Sequence, residues 1–225
     1  MKKIDEGLID YLTRDELLAV LNAPNHRTRS GLRDRAILHL AFAAGLRVSE
    51  LISIRVDELD RRKLDTIHIM GKGRRERVLP LWAETKEVLR SWLAVRPPSA
   101  DPELFLNASG KAMSRFGFAY IVSKHVKTAA RHKPSLLKKR ISPHALRHTC
   151  AMNTLQATRD IRKVSLWLGH ATLQSTEVYL RADPTEKLEA LMAMTPPGLK
   201  KGRFKAPDKL LSMLNDARSS RSYVK

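Results

Sequence analysis

The sequence predicts a mainly α-helical fold with one small three-stranded antiparallel sheet, an α+β arrangement. Three observations lead there. Most of the chain carries apolar residues at helical spacing between recognisable cap residues. One stretch, 56–81, switches to apolar–polar alternation broken by turn-forming residues. The composition, 43% hydrophobic and 29% charged over 225 residues, is that of a globular chain long enough to bury a sizeable core.

The elements follow in chain order. In "YLTRDELLAVLNAP" (11–24), Thr13 is followed three residues on by Glu16, a capping box ahead of an apolar run that Pro24 ends. A second helix is expected from about Ser30 to Ala44, with Gly45 as its stop, and a short one in "SELISI" (49–54). "VDELD" (56–60), "TIHIM" (66–70) and "ERVLPL" (76–81) read as the three strands, with "GKGRR" (71–75) at the tip of the second hairpin. Helices are then expected at 83–95, 114–132, 143–157, 160–168, 172–180 and 184–194. The connection 97–112 reads as a loop with one short strand. "TPPG" (195–198) reads as a linker, followed by the basic strip "LKKGRFK" and a last helix near 208–217. The expected organisation is therefore one unit over 1–194 and a basic linker with a C-terminal helix over 195–225.

Charge narrows the function. Forty-two Lys and Arg against 23 Asp and Glu leave +19. A compact fold resists that much self-repulsion unless a polyanion relieves it, and nucleic acid is the expected partner. An anionic membrane is the rival, but membrane binders concentrate their bases on one amphipathic helix, whereas here they are scattered in clusters. The longest apolar run, "AILHLAFAAGL" (36–46), is too short to span a bilayer. "MKKIDEGLID" carries no apolar core of a secretion signal, and Cys150 is the single cysteine, so a reducing cytoplasm is expected. There is no zinc-ligand spacing, P-loop or GxGxxG, so no metal and no cofactor are expected.

Four stretches could carry chemistry. In "SPHALRHTCA" (142–151), Ser142 suits an N-cap and Pro143 the first helical turn. His144 and Arg147, three apart, then share the face at the positive end of the helix dipole, a natural place for a phosphate; His148 follows at i+4 as a supporting residue. In "AAGLRVSELISI" (43–54), Arg47 lies three residues before Glu50, a carboxylate able to fix its guanidinium fork. In "MGKGRRERVLPL" (70–81), Lys72 sits between two glycines at a hairpin tip, with Arg74, Arg75 and Arg77 beside it as DNA-backbone candidates. In "LWLGHATLQSTEVYL" (166–180), a Gly-His pair precedes a helix bearing Tyr179. Each has an ordinary competitor: a surface arginine with a half-buried histidine, a surface ion pair, a solvated basic turn, and a tyrosine packed in a core.

Taken in order, Arg47, Lys72, the HxxR box, Gly169-His170 and Tyr179 closely resemble the signature of the tyrosine recombinases, the family of phage integrases, Xer-type resolvases and transposon-borne recombinases. The resemblance runs from about Thr13 to about Leu191. It implies the family's catalytic-domain fold and a metal- and ATP-independent exchange of DNA strands. It implies that Arg47, Arg147 and His170 clamp the scissile phosphate, that Tyr179 attacks it to form a 3′-phosphotyrosyl link, and that Lys72 protonates the departing 5′-oxygen. His144 would assist as a base or hydrogen-bond donor, and Glu50 would orient Arg47. Family members usually carry an N-terminal core-binding domain; with its first arginine box at residue 47, this chain is expected to be without it. In the family a helix after the tyrosine docks on a neighbouring protomer of a tetramer. "PTEKLEALMAM" and "PDKLLSMLNDA" suit that role, packing in cis being the alternative.

The run from Lys124 to Arg140 holds seven Lys/Arg and no acid. Lys124, Lys127, Lys138, Lys139 and Arg140 are read as contacts to the DNA backbone, which position the duplex without reading its sequence. The expected partners are double-stranded DNA and further copies of the chain, a tetramer on DNA that can be monomeric when free. Two other functions fit parts of the pattern: a type IB topoisomerase-like relaxase, and a DNA-binding regulator that no longer cuts.

Overall fold

A computed structural model of the chain describes residues 10–59, 63–71, 76–170 and 174–182. Local signals set most element ends. The Thr13 hydroxyl accepts from the Glu16 amide while the Glu16 carboxylate accepts from the Thr13 amide at 2.8 Å, closing the predicted capping box ahead of α1 (Arg14–Asn22). Thr28 caps α2 (Arg29–Ala43), and Gly45, at φ +56°, turns the chain away from it. A Cβ at Gly45 would fall 2.6 Å from Leu168 and 3.0 Å from the Cys150 sulfur, so this position needs glycine for space as well as for conformation. The short α3 (Val48–Ile52) follows.

The hairpin comes next. Strands β1 (Thr66–Met70) and β2 (Glu76–Pro80) pair antiparallel, Thr66 opposite Pro80 and Met70 opposite Glu76. Ile67, Ile69 and Leu79 turn inward, as the alternation requires. The expected third strand is a correction. Among the described residues the sheet has two strands, and Val56–Leu59 form a turn, with the Leu59 amide bonded to the Val56 carbonyl. The reason is local. Asp57 forks onto Arg55 at 2.7 Å and Glu58 reaches back to the Arg55 amide, so the acids curl the segment instead of extending it. In the 97–112 connection the expected short strand is reduced to two isolated bridges, Arg55 with Glu103 and Leu106 with Ala112.

The remaining helices are α4 (Ala83–Val95), α5 (Arg115–Ala130), α6 (Pro143–Thr158), α7 (Ile161–Leu168) and α8 (Gln174–Ala182). A 3-10 turn, Pro134–Lys138, joins α5 to α6. Pro143 opens α6 as expected; Ser142 occupies the cap position without a side-chain bond. Asp160 caps α7 through the Arg162 amide at 2.8 Å. The expected helices 184–194 and 208–217, the linker at 195–198 and the boundary after 194 lie outside the described residues.

Helix α2 is the centre of the core. Its Ile37, Leu38 and Leu40 are fully buried, and α4 and α6 pack against it. Trp92 of α4 joins the core and donates to the Leu104 carbonyl at 2.9 Å. Phe105 and Phe118 are fully buried, each worth roughly 1.5–3 kcal/mol of apolar transfer. A smaller cluster, Met152, Leu155, Val164, Leu168 and Tyr179, gathers α6, α7 and α8. No helix among the described residues is long and apolar enough to cross a membrane.

Candidate active site

Arg147 anchors the site. It lies one turn into α6 and its side chain is 6% exposed. Its guanidinium donates to the Gly45 carbonyl, just past the end of α2, and to the Leu168 carbonyl at 2.9 Å, the last residue of α7. Those carbonyls are helix-end acceptors with no partner inside their own helices, and the negative ends of two helices favour a cation between them. Burial, with Arg47 nearby, pushes Arg147 down to about 10, which leaves it charged at neutral pH.

Glu50, buried on α3, gathers the other cations. It accepts from the Arg47 amide and the Arg47 guanidinium, both at 2.9 Å, and from the Arg77 guanidinium at 3.2 and 2.9 Å. Arg147 Nη1 lies 3.9 Å away. Burial alone would raise the Glu50 carboxyl; the hydrogen bonds from Arg77 and Arg47 outweigh it and hold it below the usual carboxylate range. An ionised Glu50 therefore fixes Arg47, whose side chain remains 36% exposed and faces outward.

Tyr179 lies on α8, 2% exposed, packed against Leu168 and Met152. Its hydroxyl is 3.0 Å from His148 Nδ1. The His170 ring lies nearly parallel to it, at 13° with centroids 6.4 Å apart. His170 follows Gly169, whose φ of +64° closes α7, and its amide bonds back to the Ser165 carbonyl. Its Nδ1 is 2.8 Å from the Thr176 hydroxyl. Burial, reinforced by neighbouring cations, holds both His148 and His170 at about 4, so both rings are neutral at neutral pH. Burial raises the Tyr179 phenol above its usual range, while Arg147 and Arg47 pull it back.

A cleft of about 710 Å³ opens onto this group, lined among others by Arg47, Arg115, His144, Arg147, His170 and Tyr179. Cations pinned from behind by carbonyls and a carboxylate, facing an open cleft beside a phenol, suit a phosphodiester and an attack on it. Among the described residues no cluster of His, Cys, Asp or Glu could hold a metal ion.

Of the predicted site residues, Arg47, His144, Arg147, His170 and Tyr179 meet at this cleft, with Glu50 and His148 supporting them. His148 ranks higher here than its sequence reading: it touches the phenol, and His144 lies behind it with ring centroids 6.5 Å apart. Lys72, Arg74 and Arg75 lie outside the described residues. Arg77, read with them as a DNA contact, spends both terminal nitrogens on Glu50. Lys127, Lys138 and Arg140 are exposed. Lys124 is half-exposed and 3.2 Å from Asp34. Lys139 binds Glu16 at 2.6 Å and the Tyr11 carbonyl at 2.9 Å, tying the start of α1 to the α5–α6 connection. Thr176 was not anticipated, although its spacing of three from Tyr179 on one helix face carries the signal.

The sequence model of the Phage integrase family matches residues 10–186. The chain belongs to that family. Among curated members, it is 40% identical over 214 residues to y4rC of Sinorhizobium fredii, a protein that carries an integrase/recombinase name, covering 95% of this chain and 64% of that one. It is 36% identical over 186 residues to tyrosine recombinase XerC of Pelotomaculum thermopropionicum, covering 79% of this chain and 58% of that one. The chain thus spans less than two thirds of the length of these relatives. Its fold matches the XerA recombinase with a TM-score of 0.70 at 24% identity, over 85% of this chain and 68% of that one. It matches the catalytic domain of bacteriophage HP1 integrase with a TM-score of 0.55 at 19% identity, over 84% of this chain and 96% of that one. The mostly helical architecture with its small antiparallel sheet is the one these family structures share.

Proposed function

We propose that this chain is the catalytic part of a site-specific DNA recombinase that cuts and rejoins strands through a 3′-phosphotyrosyl intermediate. The observation that carries the reading is the Tyr179 hydroxyl, bonded to His148 at the cleft that also holds Arg47, Arg147 and His170. The Tyr179 oxygen attacks the scissile phosphorus, the P–O5′ bond breaks, and the enzyme keeps the 3′-phosphate. The phosphodiester energy stays in the phosphotyrosyl link, and attack by a 5′-hydroxyl of the partner strand reverses the step.

The residues divide the work. Arg47 and Arg147 meet the charge that builds on the non-bridging oxygens, and because both are held in advance they do so without reorganising. His148, neutral and in contact with the phenol, takes its proton as the phosphate enters; the arriving anion stabilises the imidazolium that forms, while Arg147 and Arg47 offset the charge left on the phenolate. His170 and His144 donate hydrogen bonds to the phosphate. By its match to the family's hairpin lysine, Lys72 supplies the proton to the 5′-oxygen. Lys127, Lys138 and Arg140 sit on exposed positions suited to the duplex backbone, with Arg74 and Arg75 assigned the same role from sequence.

The working assembly is four copies on DNA. Trp82, Val78 and Leu166 stand exposed around an apolar groove of about 840 Å³ beside β2 and α7, a surface available to a neighbouring copy. The reading places the protein in the cytoplasm, with its DNA.

The test is a suicide-substrate assay. The parent and Tyr179→Phe are incubated with nicked duplexes tiled across the DNA adjoining the gene, with a chelator present, and resolved on denaturing gels. A covalent protein–DNA adduct from the parent alone is the expected result. Salt-sensitive binding that is identical in both proteins, with no adduct, replaces the recombinase by a non-cleaving DNA binder.

A further inference from the structure

Arg77 lies on β2, 27 residues from Glu50 in sequence, yet its guanidinium is built into the site. Both terminal nitrogens hold the Glu50 carboxylate, the same group that fixes Arg47 through backbone and side chain. The Arg77 side chain is 11% exposed, and its buried Nε bonds nothing among the described residues. Its other neighbour is the turn that carries His170. A Cβ at Gly169 would fall 2.8 Å from Arg77 Nη1 and 3.1 Å from its Cδ, so the Gly169 backbone rests directly on this side chain.

A DNA-backbone contact has the opposite character: an extended guanidinium with its donors turned to solvent. We propose instead that Arg77 is a positioning residue for strand cleavage, holding Glu50 in the setting that aims Arg47 and seating the Gly169–His170 turn. This role rests on the strand-cleaving reading of the site. Without Arg77, Glu50 keeps the Arg47 amide and guanidinium, with Arg147 at 3.9 Å, but loses the two bonds that hold it from the β2 side. Arg47 then loses its fixed direction, and the turn bearing His170 loses its floor. Ground-state DNA binding, spread over many surface bases, is little affected. The transition state, which depends on the aim of two or three groups, is.

The test compares the parent with Arg77→Gln, Arg77→Lys, Glu50→Gln and the Arg77→Gln/Glu50→Gln pair. DNA affinity is measured against salt, and single-turnover cleavage of the nicked duplex at saturating DNA, with rates taken per folded molecule from thermal melts. Arg77→Gln is expected to keep the parent's affinity and salt slope while slowing cleavage by about tenfold or more, the scale of a misplaced catalytic group. Arg77→Lys, which returns a charge to Glu50 but not the fork, recovers part of the rate. The double variant loses less than the product of the two single losses, because the two residues share one carboxylate; what it loses beyond Glu50→Gln reports the Gly169–His170 turn. An Arg77→Gln protein that cleaves at the parent's rate but binds more weakly, with a salt slope lower by about one, overturns the role and restores the backbone contact. Fully additive losses in the double variant overturn it as well. A parent that forms no adduct overturns the strand-cleaving reading and this role together, whereas a cleaving parent with an unaffected Arg77 variant overturns this role alone.

Discussion

Two buried carboxylates in this chain look alike at first. Asp34 on α2 is fully buried and sits 2.7 Å from Arg33, 2.8 Å from His125 and 3.2 Å from Lys124. Glu50 on α3 is buried and holds Arg47 and Arg77, with Arg147 close by. For both, burial raises the carboxyl and the hydrogen-bonded partners overcome it, so both stay ionised. They differ in what their partners do next. Arg33 turns its other nitrogen to the Leu106 carbonyl at 3.1 Å, and His125 and Lys124 belong to α5, so Asp34 staples α2 to its neighbours. Glu50 leaves Arg47 at the cleft, beside Arg147, His170 and Tyr179. A displaced carboxylate reports burial among cations; what sets Glu50 apart is that its cations also face a cleft and the phenol proposed as nucleophile.

The largest effect that sharpens this contrast is at Tyr179 itself. Tyr179→Phe should abolish the covalent adduct while leaving the helix α8 packing, since only the hydroxyl is lost; an adduct that persists moves the nucleophile elsewhere. Glu50→Gln should come next, slowing single-turnover cleavage by about 10²–10³, the cost of losing one preorganised electrostatic group. Asp34→Ala should reverse the pattern. It strands Arg33 and His125 and should cost about 3 kcal/mol of unfolding free energy in urea, the low end for a broken buried pair because half-exposed Lys124 can reach water. Its cleavage rate per folded molecule should match the parent's. If Asp34→Ala slows the chemistry and Glu50→Gln does not, the two sites have been assigned the wrong way round.

His148→Gln should lower the cleavage rate by about 10²-fold, the smaller end of general-base effects, because glutamine keeps a hydrogen bond to the phenol but cannot take its proton. A His148→Gln enzyme as fast as the parent would leave the phenol's proton to another group.

The last effect is on stability against pH rather than on cleavage. His39, His148 and His170 are held at about 4 in the folded chain by burial and nearby cations. An unfolded histidine titrates near 6.5. Between those values the unfolded chain binds more protons, so stability is full above about pH 6.5 and falls as pH drops toward about 4. Melting temperatures across that window should slope downward with acid, and His39→Leu, far from the chemistry, should flatten the slope. Glu16 acts lower. Burial would raise it, but its bonds to Lys139, Ser135 and the Thr13 amide hold it at about 2, so its contribution is lost as pH falls from about 4.5 through about 2.

The legible parts of this molecule are those whose cause is local. The capping box at Thr13 and Glu16, the stop at Gly45, Pro143 at the head of α6 and the Gly169 turn all act within a few residues, and each appears where the pattern placed it. The third strand failed for a local reason as well: alternation in "VDELD" was weaker than the pull of its acids on their own backbone. The ordered boxes around Arg47, Arg147, His170 and Tyr179 were readable because each keeps its own spacing.

Tertiary structure decided the partners. Nothing near Arg77 in sequence says that its fork meets Glu50, and nothing near Lys139 says that it closes on Glu16. A basic residue looks the same in a string whether it faces a phosphate or a buried carboxylate, because the choice depends on which strand and which helix end arrive beside it. The same holds for His148, which i+4 spacing placed on the face of His144 but which only the packing of α8 against α6 brought to the phenol. Sequence determined which groups the chain owns and how each helix starts and stops. The fold determined which charges neutralise one another inside and which remain for a ligand, since burial and distance, not composition, set the strength of a charge.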